Sequence, residues 1–150
     1  MNTDEQKLYT IGFAGKSAEE FFSLLKKAGV KILIDIRLNN VSQLAGFTKG
    51  KDLSYFVKEI LAGQYYHMTD LAPTKELLKK YQAAEDWHSY EKEFLSLLER
   101  RNVESKIDSE RLKGPTVLLC SEKTAEKCHR RLTAEYLQKK LLVGYTIEHL

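Results

Sequence analysis

The chain has 150 residues, of which 43% are hydrophobic and 30% charged, and its net charge is +3. This length and composition are typical of one globular domain, so we expect residues 1–150 to form a single α/β domain. Two cysteines exclude a disulfide framework, which favours a reducing compartment, and we expect the cytoplasm. No apolar run approaches the roughly 18 residues of a membrane span, so we expect no membrane partner.

Short apolar runs alternate along the chain with segments that have helical spacing. Ser17, with Glu20 three residues later, predicts the N-cap of the first helix, and Gly29 predicts its end. In chain order we predict strand 8–11, helix 18–28, strand 32–36, an irregular stretch 38–50, helix 53–61, strand 65–68, helices 74–84 and 88–102, a polar segment 106–114 that is a loop or the frayed end of a helix, strand 116–120, helix 125–142 and strand 145–150. This alternation predicts a three-layer α/β domain: a mostly parallel sheet of about five strands with helices on both faces.

The residues that follow the first two predicted strands are candidates for ligand binding, because ligands of parallel α/β sheets bind beyond the carboxyl ends of the strands. Gly12 either lets backbone N–H groups face an anion or forms an ordinary turn. Arg37 and Asn39 are candidate anion ligands, and Asp35 lies on the same strand face as Arg37. Asp35 therefore either orients Arg37 toward a phosphate or carboxylate, or forms a structural ion pair with it.

The residues after the fourth predicted strand form the richest polar cluster in the sequence. They are Cys120, Glu122, Cys128, His129 and Arg130. We assign His129 to acid–base work or hydrogen bonding, and Glu122 to a second proton-transfer role. Arg130 and Arg37 are expected to clamp one anionic ligand from the same edge of the sheet.

Four interpretations of the cysteines remain open from the sequence. With Thr124 as the predicted N-cap, Cys128 fits a small core residue, and the same helix start also fits an anion cradle with His129 and Arg130. A nucleophilic cysteine with His129 as its base is a third; Cys120 suits it better, because adjacent helical residues diverge by about 100°. A metal or disulfide site is least favoured, since the spacing is unlike usual zinc sites. We expect no metal and no cofactor.

Several short pieces, in this order and spacing, resemble the domain of unknown function 488 family. They are residues 9–12, 35–39, 46–47, 118–123, 128–130 and 147–150. The resemblance covers nearly the whole chain and implies a compact parallel α/β domain without a settled activity. It implies motif positions at Gly12, Asp35, Arg37, Cys120, Glu122, Cys128, His129 and Arg130. Phe13, Ala14 and Asn40 depart from the residues common in the family, which puts in doubt chemistry that needs a polar group after the first strand.

The combined prediction is a small enzyme with a phosphate-binding site at the carboxyl ends of the strands. Its expected partner is a small anionic or phosphate-bearing ligand, such as a nucleotide or a nucleic-acid-related substrate. The alternative is a non-catalytic module that binds nucleic acid or protein, which predicts a continuous basic stripe and salt-dependent binding. The net charge of +3 does not support nucleic acid as a partner.

Overall fold

The computed structural model describes residues 6–41 and 46–150, which are arranged around a parallel sheet. The strands are β1 (Lys7–Gly12), β2 (Ile32–Asp35), β3 (Gln64–His67), β4 (Thr116–Cys120) and β5 (Thr146–His149). They pair in the order β3-β2-β4-β1-β5, and every pairing is parallel. The predicted parallel sheet of about five strands is confirmed.

Helices cover both faces of this sheet. Within the described residues they are α1 (Ala18–Lys27), α2 (Gly50–Leu61), α3 (Lys75–Ala84), α4 (Trp87–Arg101), α5 (Val103–Lys106) and α6 (His129–Leu141). The predicted cap of α1 is present, since the Ser17 hydroxyl accepts a hydrogen bond from the Glu20 amide at 3.1 Å. None of the helices in this part of the chain is long and apolar enough to span a membrane.

Two apolar cores lie on opposite faces of the sheet. The core under α1 and α2 contains Phe21, Leu33 and Leu119, whereas the core under α4 and α6 contains Ile34 and Phe94. Successive strand residues point to opposite faces, so a strand covered on both sides is apolar throughout. β4 lies in the centre of the sheet and all five of its residues are buried, which explains the apolar run from Val117 to Cys120.

Two segments differ from the prediction. α6 begins at His129 rather than near residue 125, and Cys128, not Thr124, is its N-cap. The polar segment 106–114, predicted as a loop or the frayed end of a helix, begins at the last residue of α5 and contains a 3₁₀ helix, Ser109–Leu112, whose Leu112 is fully buried. Both segments are ordered by tertiary contacts, which local spacing does not reveal. In the stretch predicted as irregular, residues 46–48 form a 3₁₀ helix, and residues 42–45 lie outside the described residues.

Candidate functional site

A cavity of 280 Å³ opens at the carboxyl ends of β1, β2 and β4, where the sequence places its candidate residues. Polar side chains on the strand-end side are those of Arg37, Asn39, Ser121, Glu122, Lys127 and His129. Cys128 also lines the cavity, whereas Gly12, Asp35, Cys120 and Arg130 are not part of its lining. The structure therefore divides the predicted site into residues that line the cavity and residues behind them.

Arg37 forms the expected pair with Asp35, and the pair is buried. Arg37 Nε donates to Asp35 Oδ1 at 2.8 Å, and Nη2 donates to Oδ2 at 2.7 Å. Arg37 also donates to the Thr48 backbone carbonyl at 2.6 Å and to the Thr48 hydroxyl at 3.4 Å. Burial opposes the charge of Arg37, but the hydrogen bonds and charge of Asp35 prevail and raise its pKa. One Nη1 hydrogen has no acceptor among the described residues and could bind a ligand.

Tyr65 completes the environment of Asp35. Its hydroxyl donates to Asp35 Oδ2 at 2.6 Å and accepts from the Asn40 side-chain amide at 3.2 Å. Burial, followed by the nearby Asp35 carboxylate, raises the pKa of Tyr65, so its hydroxyl stays protonated. The Asp35 carboxylate therefore accepts hydrogen bonds from both Arg37 and Tyr65, and these bonds fix it in place.

Arg130 is 1% exposed, and none of its partners in the described part of the chain is a carboxylate. Its Nε donates to the Thr10 hydroxyl at 3.1 Å, and Nη1 donates to Cys120 Sγ at 3.3 Å. Further bonds reach the backbone carbonyls of Glu122 and Lys123. Arg130 thus holds the loop that follows β4 against the end of β1.

The two arginines lie on opposite faces of the sheet, contrary to the expectation that they clamp one ligand. Arg37 pairs with Asp35. Asp35 lies two residues after Leu33 on β2 and therefore shares its face of the sheet, the one covered by α1 and α2. Arg130 donates a hydrogen bond to Cys120, which belongs to the core on the face of α4 and α6. The strand order, which the sequence does not reveal, separates them. Arg37 reaches the cavity, and Arg130 supports the loop behind it.

Gly12 is required by the close approach of that loop. A Cβ atom at this position would overlap the Glu122 backbone carbonyl and crowd Arg130 Nη1. The Gly12 carbonyl accepts a hydrogen bond from Lys16 Nζ at 2.8 Å. Gly12 therefore shapes the site through its missing side chain.

The two cysteines are free thiols buried beside each other under the loop. Burial works to raise the pKa of Cys120, but the hydrogen bond from Cys128 and the charge of Arg130 outweigh it and lower this pKa. The same hydrogen bond, followed by burial, raises the pKa of Cys128. Among the described residues, neither thiol is hydrogen-bonded to His129, so the nucleophile–base pair expected of Cys120 and His129 is not formed.

His129 presents one ring nitrogen to the cavity. Its Nε2 lies 2.8 Å from the Ile36 carbonyl oxygen, which only accepts, so Nε2 carries the proton. Nδ1 has no hydrogen-bond partner in residues 6–41 and 46–150, and it is not among their buried unpaired atoms, so it opens to the cavity. Burial above all, with some repulsion from Arg130, lowers the pKa of His129 to about 4. The ring is therefore neutral at pH 7, with Nδ1 as a proton acceptor.

The first turn of α6 gives the cavity a positive end. Cys128 Sγ accepts from the Arg130 amide at 3.4 Å, while the His129 amide has no acceptor in the described residues. Free amides and the helix dipole favour an anion at such an end. The Lys127 ammonium, also in the lining, has the same preference. No three His, Cys, Asp or Glu side chains in the described ranges form a group that would hold a metal.

The sequence model of one family, described as Domain of unknown function DUF488, matches residues 17–137. The chain belongs to this family. The match includes both buried arginines and the whole polar cluster from Cys120 to Arg130, but it begins after Gly12. No curated protein and no solved structure was found to match the chain.

The DUF488 match also includes cavity residues that the sequence analysis did not assign to the site. Tyr81 of α3 and Trp87 and Tyr90 of α4 line the side opposite the strand ends. The spacing of Trp87 and Tyr90, three residues apart, indicates one helix face. That face could be identified from the sequence, but its position beside the strand ends depends on how α3 and α4 pack.

Proposed function

We propose that this protein is an enzyme that acts on a small phosphate-bearing substrate, of the nucleotide or nucleic-acid-related class, in the cavity at the strand ends. The observation that carries the proposal is the state of His129. One of its nitrogens is held by the Ile36 carbonyl, while Nδ1 opens to the cavity on an uncharged ring. A fixed, neutral imidazole with one free lone pair is arranged as a general base.

The phosphate is bound at the positive end of α6. The His129 amide and the Lys127 ammonium supply donors there, and Arg37, just after β2, adds the Nη1 hydrogen that has no acceptor among the described residues. Asn39 contributes its side-chain amide N–H, because its Oδ1 already accepts the Val41 amide at 2.9 Å. Together these donors can bind an anion even though Arg37, the one arginine among them, is almost fully buried.

The proposed reaction begins with transfer of a proton from a substrate hydroxyl or a bound water to His129 Nδ1. The exposed Glu122 carboxylate lines the same cavity and relays that proton to solvent. Asp35 and Arg130 act from behind, Asp35 by orienting Arg37 and Arg130 by holding the loop of Glu122. We place the enzyme in the cytoplasm, since both of its cysteines are free thiols.

Substitution of His129 tests this proposal. Wild-type protein is incubated with a panel of phosphorylated metabolites and nucleotides, and turnover is followed by ³¹P NMR. His129→Gln keeps an amide donor for the Ile36 carbonyl but removes the basic nitrogen. We expect turnover of at least one compound, lowered about 10²–10⁴-fold in this variant.

The matched control is His88→Gln, because His88 is an exposed histidine at the start of α4. It should retain wild-type turnover. Equal rates for His129→Gln and wild type would contradict the assigned role of His129. Binding of panel compounds without turnover of any would instead favour the non-catalytic module.

A further inference from the structure

The wall of the cavity opposite the strand ends is aromatic. The rings of Trp87 and Tyr90 are stacked with centroids 5.3 Å apart and an interplanar angle of 26°. Tyr81 lies against Tyr90 at 4.9 Å. We call these three residues the aromatic wall. Trp87 and Tyr81 are only half-buried, so part of each ring is available to a ligand.

The aromatic wall adjoins the first turn of α6, where the phosphate is placed. Phe94 connects them, since its ring lies 6.0 Å from that of Tyr90 and 5.6 Å from that of His129. At the other end, the Arg131 guanidinium lies 5.9 Å from the Trp87 ring. One small ligand can therefore contact both the aromatic wall and the positive end of α6.

The Tyr90 hydroxyl is a polar group with no partner in the described residues. Tyr90 is only 5% exposed, yet its oxygen makes no hydrogen bond there and is not among the buried unpaired atoms. The exposed part of the residue therefore includes the hydroxyl, and Tyr90 lines the cavity. Buried tyrosine hydroxyls ordinarily find a partner. Because the hydroxyl is exposed to the cavity, a ligand atom can bind it there.

We infer that the aromatic wall binds the planar ring of a mononucleotide, with the Tyr90 hydroxyl bonded to an acceptor on the base or its sugar. The inference rests on the proposed function, which supplies the phosphate site. Aromatic side chains stack on any base, because every base has a π-face. The volume of 280 Å³ lies just below the range of about 300–1,000 Å³ typical of small-molecule sites. It therefore suits a single nucleotide better than a strand.

Trp87 makes the binding measurable, because it is the only tryptophan of the chain. The full-length protein is titrated with the four ribonucleoside 5′-monophosphates, adenosine, ribose 5-phosphate and inorganic phosphate. Fluorescence of Trp87 reports on ring stacking, and calorimetry gives the affinity of each compound. We expect at least one mononucleotide to quench the fluorescence and to bind at least tenfold more tightly than ribose 5-phosphate.

Two variants separate the ring from the phosphate. Trp87→Leu should lower the affinity for the mononucleotide by about fivefold to a hundredfold. Tyr90→Phe should lower it by about fivefold. Both affinities are measured by calorimetry. Trp87→Leu should leave ribose 5-phosphate binding unchanged, because ribose 5-phosphate has no ring to stack. Tyr55→Phe, which changes an exposed tyrosine of α2, is the matched control and should bind as wild type does.

The outcomes distinguish the two proposals. Ribose 5-phosphate that binds as tightly as every mononucleotide would overturn the ring site and leave the phosphate site intact. A nucleoside that binds as tightly as its monophosphate would support the ring site and contradict the phosphate site. Unchanged mononucleotide affinity in Trp87→Leu and Tyr90→Phe would overturn the role of the aromatic wall. Absence of binding by every compound would overturn both proposals.

Discussion

Arg37 and Arg130 are both almost fully buried, at 5% and 1% exposure, but within the described residues only Arg37 is paired with a carboxylate. Asp35 receives two side-chain hydrogen bonds from Arg37 and neutralises its charge locally. Arg130 is instead solvated by a hydroxyl, a thiol and backbone carbonyls. One arginine is part of a neutral pair, whereas the other brings a net positive charge into the protein.

The difference shows in the titratable groups around each arginine. Together with burial, which is the larger cause, the charge of Arg130 lowers the pKa of Lys16, His129 and His149. It also lowers the pKa of Cys120, against the opposing effect of burial. Arg130 therefore influences the cavity through its field and through the loop it holds, while Arg37 reaches the cavity itself. Burial alone does not identify a ligand-binding arginine.

Breaking the neutral pair should have the largest effect on stability. Asp35→Asn leaves the Arg37 charge buried without a counterion and should lower the free energy of unfolding by about 3–5 kcal/mol in urea titrations. The double variant Asp35→Leu/Arg37→Met removes both charges, and its free energy of unfolding should fall much less. A double variant no more stable than Asp35→Asn would contradict this account of the pair.

Acidification should destabilise the protein through His129. Its pKa falls from 6.5 in the unfolded chain to about 4 when folded. The unfolded chain therefore binds more protons between these values. This contribution, on the order of 3 kcal/mol, is complete above pH 6.5 and is lost as the pH falls to 4. Urea titrations should show the loss in wild type and a smaller one in His129→Gln. Equal slopes in the two proteins would place the pKa of His129 near its ordinary value.

Removing the unpaired charge should cost less than breaking the pair. Arg130→Met leaves the Glu122 and Lys123 carbonyls without a donor, but both residues are exposed and the carbonyls can bind water. We expect a loss of about 2–3 kcal/mol. The variant should also raise the pKa of His129 and of the Cys120 thiol, measured by NMR and by thiol absorbance. Unchanged pKa values would show that Arg130 does not act through its field.

Crowding the loop that follows β4 should have the smallest effect on stability of the four changes considered. Gly12→Ala pushes the Glu122 carbonyl away from Arg130 and should cost about 1–3 kcal/mol. Gly46→Ala, where a Cβ would meet no atom of the described residues within 4 Å, is the matched control; it should change stability by no more than about 0.5 kcal/mol. The effects of Gly12→Ala and Arg130→Met should be less than additive, because both release the same loop. Full additivity would contradict the shared role.

Local features of the site could be predicted from the sequence, and features that depend on strand order could not. The pairing of Asp35 with Arg37 follows from alternation along one strand. The separation of Arg37 from Arg130 depends on which strands neighbour each other, and two residues far apart in the chain carry no such signal. The start of α6 also differs, because the bonds from Arg130 to the loop fix residues that would otherwise suit a helix.

The aromatic wall was outside the predicted site for the same reason. Trp87 and Tyr90 belong to the face of α4 that packs on the sheet, which their spacing indicates. Their contact with the cavity arises because the end of α3 and the start of α4 lie beside the strand termini. A sequence pattern identifies the face, and only the packing identifies what that face meets.

The protonation state of His129 is the property on which the proposed function depends, and NMR measures it. In ¹⁵N-labelled protein at pH 7, long-range ¹H–¹⁵N correlations separate the two ring nitrogens of His129 by their chemical shifts. We expect a neutral ring with the proton on Nε2, and a changed Nδ1 chemical shift when the tightest-binding mononucleotide is added. A doubly protonated ring at pH 7, or a proton on Nδ1, or an Nδ1 shift that the saturating nucleotide leaves unaltered, would contradict the assigned role of His129.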